Sequence, residues 1–304
     1  MLDVCFVKTG KAYIPEASAY SQYLKSKGFD TVVVEGNDNA RLVDAKLYYR
    51  FGGVLKGNIR SGVPEIHEYH TASTGQFPRL KNLVKSALGS TPCYYSFLSP
   101  FVENQYWFNA KIPRFYRDMG APSELLAIRN SKEAAVYDIC YFGSISQRKG
   151  VRESIVKLAS LGLSIVVAGK ADEVDAAILE KTEGVKFLGT VQREEVDSYL
   201  SCSKAGLNFM PDEYPLTSQT STKVIEYLVA GVPVISNDYS WIIEHSELHG
   251  YKFANIDGLT KENFQALLSD ERTILPVDEV KKFTWDNILE RIHFDRLILS
   301  CINS

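Results

Sequence analysis

The sequence lacks the signatures of several common protein classes. Its five cysteines are widely separated and none forms a Cys-x-x-Cys pair, which argues against a zinc ribbon or a dithiol redox site and favours reduced, buried thiols. Long apolar runs are also missing: MLDVCFVK contains four apolar residues between Asp3 and Lys8, too few for a signal peptide or a membrane span. These absences predict a cytoplasmic protein.

The usual nucleotide and metal motifs are missing as well. No Gly-x-Gly-x-x-Gly follows a predicted strand, which argues against nicotinamide or flavin binding through that fingerprint, and there is no Walker-type Gly-Lys-Ser/Thr. No Asp-x-Asp pair offers two carboxylates to a metal ion. We therefore expect neither a bound cofactor nor a metal.

What the chain does have is a regular alternation of short apolar runs and amphipathic segments. From residue 138, DICYFG, LSIVVAG, VKFLG, AGLNFM and VPVIS predict strands, and the segments between them predict helices. Short buried strands separated by helices are typical of parallel sheets covered on both faces. The first half repeats this rhythm less regularly, so we predict an α/β protein with two Rossmann-like domains.

At 304 residues the chain has about the length of two domains. Residues 112–136 have two prolines, a glycine and mixed polarity, which favours a domain junction there. We predict an N-terminal domain over 1–130, a C-terminal domain over 131–285, and a final helix over 286–304 that packs back on the first domain. Ligands of such folds bind at the carboxyl edges of the sheets, in a cleft between the domains.

Charge is unevenly distributed between the two halves. Residues 1–132 contain 17 Lys and Arg against 11 Asp and Glu, a net charge of +6, whereas the remainder has 17 against 26, a net charge of −9. A basic first half is compatible with binding to an anionic membrane surface or an anionic glycan carrier, and dispersed surface lysines explain it equally well. The first interpretation predicts salt-sensitive binding to anionic vesicles without an apolar anchor.

The segment GSISQRKG, residues 143–150, follows a predicted strand and leads into a helix. Gly143 and Ser144 end the strand, and Arg148 and Lys149 lie just before the helix. A glycine turn, free helix N–H groups and two cations together suit an anion such as a phosphate. A solvated Arg-Lys pair is the alternative, although cations at a helix start oppose the helix dipole.

A second polar cluster opens the segment STKVIEYLVAGVPVIS, residues 221–236. Ser221 and Thr222 occupy the expected N-cap, where hydroxyls and free N–H groups offer a second contact for phosphate. Lys223 follows, and Glu226 lies one turn further on. Its carboxylate is placed to accept hydrogen bonds from both hydroxyls of a ribose, and an exposed helix glutamate is the alternative.

In order, YFGSISQRKG, LSIVVAGK, VKFLGTVQREEVDSYLS, AGLNFMP and STKVIEYLVAGVPVIS resemble the donor domain of GT-B glycosyltransferases, most closely glycosyltransferase family 4. The resemblance covers residues 138–245 well and the region of Trp285 moderately, and the first half matches only in rhythm. It implies that Lys149 binds the donor diphosphate and that Glu226 binds the donor ribose. It also implies retention of anomeric configuration and a histidine near the donor sugar, for which we select His70 over His67; a buried structural histidine is the alternative.

The chain departs from the family pattern at two positions. Many members have a first Glu eight residues before the second, where this chain has Ser218, and many have Arg after the strand glycine, where it has Ser144. Arg148 is a candidate replacement for that arginine. We therefore predict a glycosyltransferase that uses a nucleotide diphosphate sugar, with UDP the expected nucleotide, and a glycan acceptor, with no nucleic acid partner. A catalytically silent, glycosyltransferase-like binding subunit is the alternative, and the strand-end loop 8–13 is a candidate for acceptor contact.

Overall fold

The computed structural model describes residues 1–9, 14–130, 135–146 and 148–303. The chain divides into two compact units, one formed by residues 1–120 and 285–304 and the other by residues 121–284. Each unit contains one six-stranded sheet. The first unit thus ends at Gly120, whereas the first predicted domain runs to residue 130.

The first sheet is parallel throughout, in the order β2-β1-β3-β4-β5-β6. Its unit contains, in chain order, β1 (Leu2–Lys8), α1 (Pro15–Ser26), β2 (Thr31–Glu35), α2 (Asn37–Arg41), β3 (Ala45–Phe51), β4 (Glu65–Tyr69), α3 (Pro78–Leu88), β5 (Tyr94–Phe97), α4 (Pro100–Glu103) and β6 (Arg114–Tyr116). The strand β6 lies inside the predicted junction. It is an edge strand of three residues, too short to give a recognisable apolar period.

The second sheet is also parallel, in the order β12-β11-β10-β7-β8-β9. Its unit contains α5 (Leu125–Asn130), β7 (Tyr137–Phe142), α6 (Val151–Ser160), β8 (Ile165–Ala168), α7 (Glu173–Lys181), β9 (Val185–Phe187), α8 (Arg193–Ser201), β10 (Ser203–Asn208), α9 (Thr222–Ala230), β11 (Val234–Ser236), α10 (Ser240–His249), β12 (Phe253–Asn255), α11 (Lys261–Ser269) and α12 (Val277–Lys281). The predicted α/β class with two Rossmann-like sheets is confirmed.

The end of the chain belongs to the first unit. It forms α13 (Trp285–Arg291) and α14 (Phe294–Ile302). The ring of Phe294 packs 5.0 Å from that of Tyr20 and 5.9 Å from that of Tyr49, and the Tyr23 hydroxyl donates to Glu290 at 2.9 Å. These aromatic contacts complete the apolar cover of the first sheet around β1 and β3. Within the described residues, no helix is both long and apolar enough to cross a bilayer.

Candidate functional site

The topology of the second sheet points to one edge of the unit. After β7 the chain adds strands on one side, β8 and then β9, and from β10 onwards it adds them on the other side of β7. The carboxyl ends of β7 and β10 therefore flank a topological switch point, where open α/β sheets bind ligands. The segment that begins at Gly143 leaves β7 at this point, and Asn208 ends β10 there.

The turn after β7 is packed too closely to admit larger side chains. A Cβ on Gly169, at the end of β8, would lie 1.8 Å from the carbonyl oxygen of Gly143. A Cβ on Gly143 itself would lie 3.2 Å from both the Cε and the Nζ of Lys223, at the start of α9. The two glycines therefore allow the Lys223 ammonium and the backbone of the β7 turn to approach each other.

The cations before α6 lie where the sequence predicts them. Gly150, at φ 95°, is the N-cap of α6, so Arg148 and Lys149 directly precede the helix. Arg148 is half-buried, and its Nη1 is buried without a hydrogen-bond partner, whereas Lys149 is exposed. Both border a cleft of about 370 Å³ that Ser146 and Glu213 also line. An orphaned buried donor is costly, and cations oppose the dipole at a helix start, so the arrangement suits a bound anion.

Lys223 is a second cation in this region. Burial and, to a lesser extent, the nearby Arg148 guanidinium together lower the pKa of its ammonium to about 7, against an opposing effect of the Glu226 carboxylate. The Nζ lies 5.4 Å from the centre of the Tyr141 ring, so one side of the ammonium contacts an apolar face. Because desolvation and a like charge both disfavour the ammonium form, an anion bound near Gly143 would restore its pKa.

The hydroxyl of Ser221 does not play the predicted part. Ser221 is the N-cap residue of α9, but its side chain forms no capping bond there. It is buried and donates instead to Oδ1 of Asn208 at 2.7 Å, while Nδ2 of Asn208 donates to the Ser236 hydroxyl at 2.9 Å. The bond ties the start of α9 to the end of β10. The first-turn N–H groups of α9, from Thr222 onwards, thus have a fixed position beside the turn.

Glu226 is not an exposed helix residue. Its side chain is 17% exposed, and its carboxylate accepts a hydrogen bond from Nη1 of Arg193 at 2.7 Å. Burial raises the pKa of Glu226, and the Arg193 guanidinium opposes that rise. Arg193 also contacts Asp197 at 3.1 Å. The Glu226 carboxylate is therefore held in a defined position by its ion pair with the Arg193 guanidinium.

Arg193 is the residue that sequence reasoning missed. It is the first residue of α8, and so it opposes the dipole of that helix in the same way that Arg148 opposes that of α6. The same argument, applied to REEVDSYLS, would have singled it out. The structure thus brings Gly143, Arg148, Lys223 and Glu226 together and adds Arg193 to them.

His70 lies in the first unit, directly after β4. Its Nε2 lies 2.5 Å from Oε1 of Glu68, its Nδ1 lies 3.9 Å from Oε1 of Glu16, and its ring packs edge-on against Phe51. The side chain is 18% exposed, so the ring can reach solvent while both nitrogens face carboxylates. His67 is fully buried beside Glu65, at 2.9 Å, which is the arrangement of a structural histidine.

Glu68 is the centre of this cluster. Its buried carboxylate accepts hydrogen bonds from the side chains of Tyr20, Tyr49, His70, Ser96 and Arg117. Burial alone would raise its pKa, but Arg117, at 2.8 Å, and His70 hold the pKa well below its usual range. Arg117 also contacts Glu16 at 3.3 Å. The cluster therefore holds the His70 ring against a carboxylate that stays ionised.

Parts of the predicted segments lie outside the described residues, namely 10–13 of the loop 8–13 and Gln147 of the segment 143–150. The carbonyl of Ser144 accepts a hydrogen bond from the Tyr141 hydroxyl at 2.9 Å. Within the described ranges, no three His, Cys, Asp or Glu side chains are grouped as ligands for a metal ion.

Comparisons with known proteins agree with this geometry. Residues 137–270 match the family model described as glycosyl transferases group 1. Among solved structures, AviGT4, a glycosyltransferase involved in avilamycin A biosynthesis, is similar with a TM-score of 0.67 and 15% identity, covering 99% of each chain. Anabaena Alr3699/HepE, solved in complex with UDP-glucose, is similar with a TM-score of 0.58 and 12% identity, covering 100% of each chain. No match is found among curated protein sequences.

The fold alone does not decide between activities. The UDP-GlcNAc 2-epimerase of Methanocaldococcus jannaschii is also similar, with a TM-score of 0.54 and 12% identity, covering 98% of this chain and 100% of that one. The family match is more specific, because it covers β7 to α11 and so includes Gly143, Arg148, Lys223 and Glu226. From these comparisons we conclude that residues 137–270 resemble glycosyl transferases group 1 and that the chain shares the two-domain GT-B fold of the glycosyltransferases to which it is similar.

Proposed function

We propose that the protein transfers a sugar from a nucleotide diphosphate donor to a glycan or lipid-linked glycan, with retention of configuration and without a metal ion. The observation that carries the proposal is the pair of cations, Arg148 and Lys223, beside the Gly143 turn at the switch point. We further propose that the reaction belongs to bacterial envelope polysaccharide assembly, such as O-antigen or capsule synthesis, at the inner face of the membrane.

The leaving diphosphate explains why cations belong at this turn. Breaking the bond between sugar and diphosphate builds negative charge on the departing phosphate, so fixed cations and N–H dipoles stabilise the transition state more than the ground state. In this proposal Arg148, Lys149 and Lys223 contact the diphosphate, with Gly143 and Ser144 close to it through their backbone. The first-turn N–H groups of α9 supply further donors, with Thr222 at its start.

Glu226 has a separate role in the proposal. Its carboxylate accepts hydrogen bonds from the ribose hydroxyls, one helical turn beyond the phosphate-binding start of α9. Arg193 occupies this carboxylate in the structure, so the ribose either shares the carboxylate with Arg193 or displaces it. The Arg193 guanidinium opposes the rise in pKa that burial causes at Glu226, and so favours the ionised form that accepts hydrogen bonds before the donor arrives.

His70 is the proposed contact to the transferred sugar. Its position after β4 places it at the carboxyl edge of the first sheet, and the carboxylates of Glu68 and Glu16 face its two nitrogens. A ring held in this way presents a fixed donor or acceptor instead of a freely rotating one. We assign UDP as the nucleotide, and the UDP-glucose complex of the similar protein Alr3699/HepE supports this choice.

A panel of UDP-, GDP-, dTDP- and ADP-sugars tests the donor assignment. We expect UDP-sugars to raise the unfolding temperature of the protein most. We also expect the purified protein to transfer labelled sugar from a UDP-sugar to glycolipids extracted from bacterial envelopes. Equal shifts with all four nucleotides would contradict the UDP assignment. Ser218, at the position where many family members have their first Glu, favours one other function, a silent binding subunit. Nucleotide binding with no release of nucleotide in any acceptor mixture would favour that subunit.

A further inference from the structure

The helix α3 buries a polar residue and exposes its apolar side, which is the reverse of the usual arrangement in a globular protein. The one fully buried residue of its eleven is Asn82, whose Oδ1 accepts the Ser73 N–H at 3.0 Å. Its large apolar side chains point outward instead: Leu80 is 57% exposed, Leu83 46% and Leu88 47%, and Val84 is exposed as well. A surface helix normally buries its apolar side and exposes its polar side. The apolar side of α3 therefore has no cover within its own unit.

Helical spacing places these residues on a single face. At about 100° per residue, Leu80, Leu83, Val84 and Leu88 fall within one arc of about 140°, and Asn82 lies opposite its middle. Cations line both borders of the arc. Lys81 and Lys85 follow it on one side, and Arg79 follows it on the other. A wide apolar arc with basic borders is the pattern of a helix that lies in the plane of a membrane interface.

The surrounding sequence contains no compensating negative charge. Residues 69–102 include Arg79, Lys81 and Lys85 but no Asp or Glu. The acids on either side are engaged elsewhere, Glu68 in its buried cluster and Glu103 with Arg114 and Tyr116. Burial lowers the pKa of Lys85, and neighbouring Lys81 lowers it further. The helix therefore combines exposed apolar area with three basic residues, and residues 69–102 around it contain no acid.

Two exposed aromatic side chains lie beside α3. Phe77, which precedes the helix, is 73% exposed and has a left-handed backbone conformation at φ 53°, which a residue with a large side chain rarely adopts. Trp107 is 57% exposed, and its backbone N–H donates to the Ser86 hydroxyl of α3 at 2.9 Å. Exposed Trp and Phe beside Lys and Arg are typical of groups that sit at the headgroup level of a bilayer.

We propose that α3, with Phe77 and Trp107, docks on an anionic phospholipid surface and inserts its apolar arc among the lipids. The charge pattern selects this occupant, because anionic headgroups neutralise Arg79, Lys81 and Lys85 while the acyl chains cover the leucines. A second copy of the chain is a poorer partner, since pairing two such faces would bring their cations together. The reason why the enzyme would need to dock rests on the proposed lipid-linked acceptor. The docking itself is inferred only from the side chains of α3 and its neighbours.

This docking differs from the purely electrostatic attachment that the net charge of residues 1–132 suggests. A cluster of surface lysines alone would release the protein when salt screens the attraction. An inserted apolar face keeps part of its affinity in salt, because burial of apolar area does not depend on ionic strength. We therefore expect binding to vesicles that contain phosphatidylglycerol, weakened but not abolished by added salt, and little binding to phosphatidylcholine alone.

Flotation with these vesicles tests the apolar arc. The double variant Leu83→Ser/Val84→Ser should reduce binding to phosphatidylglycerol vesicles by about tenfold or more. The matched control is Leu42→Ser/Leu248→Ser, which changes two leucines that are 83% and 78% exposed in other parts of the chain, and it should bind like the wild type. Equal binding of the Leu83/Val84 variant and the wild type would overturn the proposal, as would absence of wild-type binding to either vesicle.

Trp107 provides a second readout that does not depend on a destabilising change. Its emission should shift to the blue when phosphatidylglycerol vesicles are added, and Trp107→Phe should remove that shift. If the double variant instead abolishes self-association of the purified protein and leaves vesicle binding unchanged, the face belongs to a second copy and the lipid proposal fails. Nucleotide-sugar binding in solution reports the proposed function separately, so either proposal can fail alone.

Discussion

The two polar centres of this protein are built in opposite ways. In the first unit the Glu68 carboxylate is surrounded by donors, including a guanidinium at 2.8 Å and three hydroxyls. In the second unit Arg148 and Lys223 lie near one glycine turn, and the carboxylate that acts on the pKa of Lys223, that of Glu226, is already bound to Arg193. The buried carboxylate of the first centre is thus matched by its donors, whereas the second centre has an excess of positive charge.

This difference separates a structural role from a binding role. A buried charge that has all its partners stabilises the fold only while every partner remains, so the Glu68 carboxylate itself has little capacity for a ligand, and only its partly exposed partner His70 is available to one. A centre with depressed lysine pKa and an orphaned guanidinium N–H is unfavourable until something neutralises it. Substitution should therefore change mainly stability in the first centre and mainly ligand binding in the second.

The largest expected effect is on stability, in the first centre. Glu68→Leu leaves the buried guanidinium of Arg117 with Glu16, at 3.3 Å, as its remaining carboxylate partner, so we expect the free energy of unfolding to fall by about 3–5 kcal/mol. Urea unfolding monitored by circular dichroism measures this change. The control is Glu35→Gln, which removes an exposed ion pair with Lys8 and should leave the free energy of unfolding almost unchanged, because water screens such a pair. Similar losses of unfolding free energy in both variants would mean that the buried cluster contributes no more to stability than a surface ion pair does.

The next effect is on turnover, in the second centre. Arg148→Ala and Lys149→Ala should each lower kcat by about 100-fold, because each removes a fixed cation from a developing phosphate charge. Arg148→Ala should leave the unfolding temperature close to that of the wild type, since its Nη1 has no protein partner to lose. Full activity in both variants would mean that the leaving diphosphate does not bind at this turn.

A smaller effect is expected on nucleotide affinity. Glu226→Ala should weaken binding of UDP by about 1.5–3 kcal/mol, because two charge-assisted hydrogen bonds to the ribose are lost. Isothermal titration measures the loss. Arg193→Ala is the informative companion: if Arg193 only positions Glu226, its variant should weaken binding less than Glu226→Ala does. Unchanged affinity in Glu226→Ala would assign the carboxylate to the ion pair with Arg193 alone.

The smallest effect is a pH dependence of donor binding. The pKa of Lys223 is lowered to about 7 in the free protein, and a bound diphosphate should raise it, so binding takes up a proton above pH 7. Affinity for a nucleotide sugar should thus fall as the pH rises from 7, with a slope of at most about tenfold per unit. Lys223→Gln should flatten that slope. A slope that persists in the variant would point to a different titrating group.

Sequence patterns predicted the second unit closely because its signals are local. The strand β7 and the helices α6 and α9 begin and end within two residues of the predicted segments, since their apolar period and their glycines mark the boundaries. Predictions failed where the cause was tertiary. The partner of Ser221 is Asn208, thirteen residues away, and nothing in the helix-start pattern distinguishes that bond from a cap.

The first unit was harder to interpret for a related reason. The centre around Glu68 draws its donors from α1, β3, β5 and the chain after β6, and residues so far apart in sequence form no motif. The apolar period of FPRLKNLVKSALG is that of a helix, which the structure has there as α3, yet this period alone could not reveal that Asn82 faces inward. An amphipathic pattern states that two faces exist, and only packing decides which face is buried.

Gly169 has a consequence for how this enzyme tolerates change. It lies at the end of β8, and a methyl group there would meet the carbonyl oxygen of Gly143 at 1.8 Å. A Gly169→Ala substitution must therefore shift the β7 turn, although position 169 lies outside the set of proposed donor contacts. In a saturation library selected for glycosyl transfer, almost every active variant should keep glycine at position 169. At the exposed position 149, the active variants should be those that keep a positive charge. If substitutions at position 169 abolish transfer although this residue does not contact the donor, the role of Gly169 is to leave space for the β7 turn.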